Sequence, residues 1–431
     1  MTAVDPAASP PGGAGAPYVV ISADCHAGLP NEQYRDWLEP AYRDQFDAYL
    51  ADRARMMELA ARGMINQEFA QEWASENEEG LRGGWDATRR DLELDADGVA
   101  GEVLFPDADA VSSGASAPFG AGLSASGDYP PELSMAGARA HNRWLAELCA
   151  TSPDRRAGVA IVPILDDIEA AVAEIIRAHD SGLRGGILIP SMWAPYAPYH
   201  DERYHPIWAV CQERDLPVHV HSGAADKASY GPHVGMYTTE VRWWSARPLH
   251  FLIWSGAFEQ FPRLKFVVTE CGAFWAADLL WMMDTVFERE HGSRKLGAQL
   301  TAHLSMRPSE YFDRNCSIGA SNTRRRELAR RYEIGVGNLM WGNDFPHPEG
   351  TWPHTREFLR NAFCDIPVDE TAAVLGTNAA TVYNFDADRL APLAERIGPT
   401  TDELGQDGQD LTKWEPLAKA GRPWLTGVEV Y

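Results

Sequence analysis

Basic residues are scarce in this chain of 431 residues. Lys and Arg number 38 against 62 Asp and Glu, a formal net charge of −24. Nucleic acids and anionic membrane surfaces are bound through basic surface, so neither is expected as a partner. Long apolar runs are also missing. No stretch approaches the ~18 apolar residues of a membrane-spanning helix. Cysteine is sparse and unpatterned: residues 25, 149, 211, 271, 316 and 364 form no C-x-x-C and no paired spacing. That spacing reads as buried free thiols in a reducing cytoplasm and not as a disulfide framework. Met1 to Ala16 is rich in Pro, Gly and Ala, without a basic segment followed by an apolar one. It reads as a flexible tail (1–17), not as a secretion signal, and the protein is expected to be cytoplasmic.

What the chain does have is core. Hydrophobic residues make up 45% of it. Eight short strand-like runs can be counted: Tyr18–Asp24, Ala100–Pro106, Ala157–Pro163, Gly186–Pro190, Pro217–His221, Lys265–Glu270, Asn315–Ala320 and Leu339–Asp344. The seventh is the least apolar. Helical patterns separate most of them. Asp167–His179 places Ile168, Val172, Ile175 and Ile176 on one face, Tyr204–Arg214 is similar, and Arg325–Tyr332 reads as a charged surface helix. Eight alternations of strand and helix predict an α/β fold, a (β/α)8 TIM barrel.

Two segments exceed the barrel. Residues 33–97 form a helical insertion after strand 1, expected to act as a lid or a dimer surface. Residues 389–431 form a C-terminal extension whose Trp414, Trp424 and Tyr431 suggest docking on the body or on a neighbour. The barrel is then expected over 18–388. Val111 to Pro131, rich in Ser, Gly, Ala and Pro, reads as a loop over the barrel mouth.

Several of the strand runs end in a side chain able to hold a metal: Asp24-Cys-His26, His219-Val-His221, Glu270 and Asp344. Residues two apart on a strand share a face. In a barrel, the inward set at the C-terminal strand ends forms the site. An ionisable group there is costly unless paired, and one divalent cation shared by Asp24, His26, His221 and Asp344 is the simplest partner. Imidazole and carboxylate ligands suit Zn²⁺, with Mn²⁺ or Fe²⁺ as alternatives.

With these residues in place, the chain resembles the amidohydrolase-related superfamily, in the branch of the aminocarboxymuconate-semialdehyde and resorcylate decarboxylases. Tyr204-His-Pro-Ile-Trp208, Ser255-Gly-Ala-Phe-Glu-Gln-Phe-Pro262 and Asp344-Phe-Pro-His347 carry the resemblance, which spans Tyr18 to about Phe385. It implies a metal held by Asp24, His26, His221 and Asp344, with Asp344 also accepting protons, and a homodimer. Two positions depart from the decarboxylases. Asp24 stands where that family often has His or Glu, and Glu270 stands where it typically has a catalytic His. Both make the site more anionic.

That charge argues against a carboxylate substrate. The expectation is therefore a metal-dependent hydrolase, cutting a C–N or C–O bond of a small aromatic or cyclic substrate through an activated water. Asp344 and Glu270 are the candidate acid/base groups, with Arg242 to orient an oxyanion and His250 to donate a proton. Trp193, Trp275, His219 and His347 are candidate pocket residues. The alternatives are a lyase that decarboxylates or hydrates, and a ring-forming dehydratase, on the same site.

Overall fold

The computed structural model describes residues 15–61, 67–108, 116–123, 129–165, 167–191, 196–223, 230, 233–293 and 301–404. All eight predicted runs are strands: β1 (Ile21–His26), β2 (Gly101–Phe105), β3 (Arg156–Ile161), β4 (Gly186–Leu188), β5 (Val218–His221), β6 (Phe266–Thr269), β7 (Cys316–Ser321) and β8 (Leu339–Gly342). They pair in parallel in sequence order. The ring closes between β8 and β1, where Asp344 N donates to Asp24 O at 2.8 Å and His26 N to Phe345 O at 2.7 Å. The architecture is a (β/α)8 TIM barrel.

Strand parity sorts the side chains into two cores. Ile21, Ala23, Val103, Phe105, Ala157, Val159, Val267 and Met340 fill the barrel interior, together with Tyr383, Phe385 and Leu390. Val218, Val220, Phe266, Val268 and Trp341 face outward into the shell packed with helices. Each strand is buried on both faces, as its continuous apolar run requires.

The linking helices follow their sequence signals. Asp167 caps Ile168–Asp180 by accepting from Ala170 N at 2.9 Å, and His205–Glu213 follows β4. The surface helix expected over Arg325–Tyr332 is instead two single turns, Arg325–Leu328 and Arg331–Ile334, with Leu328 and Glu327 buried. Glu327 is drawn inward because its carboxylate accepts the amides of Ala273 (2.6 Å) and Phe274 (3.1 Å).

The insertion contains the helices Arg43–Ala61, Gln67–Glu76, Glu78–Leu81 and Ala87–Asp97. Tyr34, Phe46 and Trp73 from this region are buried. Residue 389, the expected start of the C-terminal extension, falls inside a helix, Ala387–Ile397. Trp193, Trp414, Trp424 and Tyr431 lie outside the described residues. No helix among the described residues is long and apolar enough to cross a membrane.

Candidate metal centre

The residues that the sequence places at strand ends meet at the C-terminal mouth of the barrel. On β1 this takes a change of parity. Ile21 and Ala23 face the interior, yet Asp24 and His26 do so as well. The β1–β2 register shifts between Ser22 and Cys25, and such a bulge re-aims the strand's last side chains. Gly342 on β8 makes room for this. A Cβ there would lie 2.7 Å from Asp24 Cβ and 3.0 Å from Asp24 N.

His26 Nε2 lies 3.5 Å from Asp24 Oδ1 and 3.1 Å from Asp344 Oδ1, and His221 Nε2 lies 3.3 Å from Asp24 Oδ1. Asp24, His26 and His221 are thus grouped as one possible metal site, and His26, Asp344 and His347 as a second that shares His26. His26 Nε2 and Asp344 Oδ1 are buried without a hydrogen-bond partner; at 3.1 Å they approach but are not aligned. Orphaned buried polar atoms of this kind are costly unless something else satisfies them. The tautomers agree with a cation as that something. His26 Nδ1 donates to Pro106 O and His221 Nδ1 to Ser222 O, both at 2.8 Å. In its neutral form each imidazole then turns an Nε2 lone pair toward the carboxylates, the form in which it would hold a cation. The donor set fits a divalent cation.

Neighbouring groups fix these side chains. Ser321, at the end of β7, donates to Asp24 Oδ2. Phe105 packs 4.9 Å from the His221 ring and 6.1 Å from that of His26. His347 stacks on His26 at 3.9 Å, with its Nδ1 3.0 Å from Asp344 Oδ1 and its Nε2 donating to Asp107 O at 2.8 Å. Glu270 Oε2 lies 3.3 Å from His221 Nδ1. Glu270 and Asp344 both hold left-handed backbone, φ 55° and 58°. That geometry costs on the order of 1 kcal/mol per residue and clusters at functional sites.

The charges are strongly coupled. Burial and the Asp344 carboxylate push Glu270 up to about 8. Burial opposes the charge on Asp344 as well, but His347 and His26 hold it well below the usual carboxylate range. Burial would lower His221, yet Asp24 and Glu270 raise it to about 9. His347 is likewise raised well above its ordinary value by Asp344, against burial.

Other predicted residues lie elsewhere. His219 sits one layer below the cluster, fully buried, with Nε2 donating to Gly185 O at 2.9 Å and its ring parallel to Tyr383 at 5.7 Å. Trp275 is also fully buried, donating to the carbonyls of Cys271 and Gly272. Arg242 is exposed on the helix Val234–Ala246. His250 lines a cleft of about 510 Å³ with His200, Phe251, Trp254 and Ser255. The turn that follows Glu270 is held by Glu327, which accepts the amides of Ala273 and Phe274.

Sequence reasoning missed Ser321, Arg90 and Asp107. Asp107 carried a legible signal, an ionisable group just after the apolar run Val103-Leu-Phe105. Ser321 and Arg90 have none, since a serine ending a strand and an arginine on a charged helix look ordinary.

The chain matches the amidohydrolase family over residues 23–385. The gamma-resorcylate decarboxylase of Rhodococcus jostii (strain RHA1) is 27% identical over 266 residues, covering 58% of this chain and 77% of the relative. The solved 5-carboxyvanillate decarboxylase of Sphingomonas paucimobilis aligns with a TM-score of 0.59 at 22% identity, over 86% of this chain and 100% of its own. The dihydroxybenzoic acid decarboxylase of Polaromonas sp. JS666, solved with manganese and the inhibitor 2-nitroresorcinol, gives a TM-score of 0.58 at 18% identity, over 85% and 97%.

These relatives overturn the expectation of a hydrolase cutting a C–N or C–O bond, since each of the three is a decarboxylase, a lyase. The argument from anionic charge failed because it counted carboxylates without their partners. Asp344 lies against His26 and His347, and Glu270 against His221. The match that runs from within β1 to Phe385 of the barrel-interior cluster leaves one conclusion: the chain belongs to the amidohydrolase family.

Proposed function

We propose that the protein is a metal-dependent, non-oxidative decarboxylase of a small phenolic carboxylic acid. The observation that carries this reading is the pairing of His26 Nε2 and Asp344 Oδ1, both buried and without hydrogen-bond partners, in a chain whose relatives are decarboxylases. Asp24, His26, His221 and Asp344 would hold the cation. Two imidazoles and two carboxylates suit zinc and manganese alike; the manganese of the Polaromonas enzyme favours manganese. When bound, the cation supplies positive charge that fixes the substrate's carboxylate and phenolate oxygens.

The remaining chemistry belongs to the protein. Decarboxylation of an aromatic acid needs a proton on the ring carbon that bears the carboxylate. The C–C bond then breaks, its electron pair restores the ring, and CO₂ leaves. The His347–Asp344 pair holds such a proton. His347 Nδ1 faces Asp344 Oδ1 at 3.0 Å, so a proton held by the imidazolium would pass to the carboxylate, and from there to carbon, once the two groups align. Ser222 O accepts the Nδ1 proton of His221 and so keeps its Nε2 facing Asp24, while the Glu270 carboxylate lies 3.3 Å from that Nδ1.

The test supplies the manganese-loaded protein with 2,6-dihydroxybenzoate, 5-carboxyvanillate and related ortho-hydroxy acids, and follows CO₂ and the ring absorbance. One CO₂ per phenol formed is expected. Asp344→Asn should lower turnover by at least about 10²-fold with the fold retained, the scale of losing a positioned proton donor. A metal-loaded protein that releases no CO₂ from any such acid refutes the reading.

A further inference from the structure

We infer that Asp107, at the end of β2, is a positioning residue that holds His347 in register for proton delivery. The inference rests on the proposed decarboxylase reading for its chemistry, though not for its geometry. Asp107 works through two different groups. Its carbonyl oxygen accepts from His347 Nε2 at 2.8 Å. Its carboxylate is buried and accepts two amides from a separate segment, Ala117 N on Oδ1 at 2.8 Å and Leu123 N on Oδ2 at 2.7 Å. The residue itself sits at φ 69°, a conformation that costs an L-residue about 1–2 kcal/mol and is tolerated best by Asp and Asn. The two charge-assisted hydrogen bonds hold it there. Relaxation to the extended region would turn the peptide and take the carbonyl away from His347.

The segment that Asp107 grips is itself anchored. Phe119 is buried, 5.8 Å from Phe46 and 5.3 Å from Tyr49. Leu123 packs against the barrel-interior cluster. Gly122 is required by the clamp, because a Cβ there would lie 2.3 Å from Asp107 Oδ2. The insertion, through Phe46 and Tyr49, therefore buttresses the loop that aims His347.

The consequence at the site follows from the His347 ring. Nε2 is committed to the Asp107 carbonyl, so Nδ1 is the nitrogen that faces Asp344. Without that anchor the imidazole can turn about its side-chain torsions while remaining stacked near His26. Misplacement by about 1 Å can cost on the order of 10²-fold in rate.

The experiment uses zinc-loaded, ¹⁵N-histidine-labelled full-length protein and observes the His347 Nε2–H resonance, assigned by its loss in His347→Gln. In the wild type this proton should be downfield and protected from exchange. In Asp107→Ala it should vanish by exchange, and kcat should fall about 10- to 100-fold while KM moves less than about threefold. Asp107→Asn should retain the resonance and most of the activity, because Asn accepts one of the two amides and tolerates the same backbone. Gly122→Ala, which crowds the carboxylate from the other side, should mimic Asp107→Ala and serves where that variant does not fold. A protected Nε2–H in Asp107→Ala or Gly122→Ala overturns the inference. If the resonances behave as expected but no aromatic acid is decarboxylated, the positioning stands and the proposed reaction falls.

Discussion

Replacing Arg90 by Met should destabilise the protein by an amount the structure lets us bound. Arg90 lies on the insertion helix Ala87–Asp97 with its side chain fully buried. It makes three hydrogen bonds to Glu102 on β2, at 2.8, 2.9 and 2.7 Å, and one each to the carbonyls of His26 and Gly83, both at 2.9 Å. Burial opposes the charge on Glu102, but Arg90 and Arg156 hold its carboxyl below the ordinary range. Methionine fills much of the volume but leaves a buried carboxylate whose remaining partner is Arg156, at 3.2 Å. Removing one member of a buried pair costs about 3–5 kcal/mol.

At roughly 2.1 cal/mol/K per residue, 431 residues unfold with about 0.9 kcal/mol/K, so Tm should fall by about 3–6 °C. Acidification should narrow the gap. The lowered pKa of Glu102 in the wild type contributes stability above the unfolded value that is lost as pH falls. In the variant, burial without Arg90 raises that pKa, so the penalty is present at neutral pH and fades toward pH 5. Arg90→Met/Glu102→Gln should recover at least half of the loss, since Arg156 keeps its pairing with Asp91. Thermal unfolding followed by circular dichroism at pH 5 and 7 measures all of this. A single variant within 1 °C of wild type, or a double variant no better than the single, would refute the reasoning.

The proposed cation ligands give a second prediction: His26→Ala and His221→Ala should each fall well below one metal per chain by elemental analysis, and either retaining full stoichiometry is not a ligand. Gly342→Ala forces a Cβ to 2.7 Å from Asp24 Cβ and should lower metal affinity by about 10-fold or more, read by competition with a chromophoric chelator; unchanged affinity would mean that Asp24 has room to move. His141 and His219 are both buried and pushed down to about 3, so they stay neutral while the unfolded chain binds protons. Stability should therefore drop as pH falls from ~6.5 toward 3, the two sites contributing at most about 2 × 1.4, or ~2.8 kcal/mol per pH unit. His141→Gln should halve that contribution in urea titrations, and an unchanged slope would count against it.

The strand runs were legible in sequence because a barrel strand is buried on both faces and has little choice of composition. All eight were readable, as was the placing of Asp24, His26, His221 and Asp344 at their ends. Local pattern could not reveal what depends on contacts between distant segments. Ser321 meets Asp24 across 297 positions, and Arg90 reaches His26 from the insertion. Arg242 and His250 looked chemical because they stand between two metal-bearing strands, but chain proximity does not set direction, and their helices carry them to an exposed face and to a separate cleft.

Sequence alone thus determined the barrel, its strand order and the metal-grade set, since burial and strand periodicity act within a few residues. The tertiary structure decided which charged groups of the site face one another, the parity change on β1 and the clamp of Asp107 on His347. Each of these depends on which groups lie within a few ångströms in space, where burial and neighbouring charge outweigh a residue's formal charge. That is why a count of carboxylates pointed to hydrolysis, while the paired and partly neutralised cluster is compatible with an anionic aromatic acid.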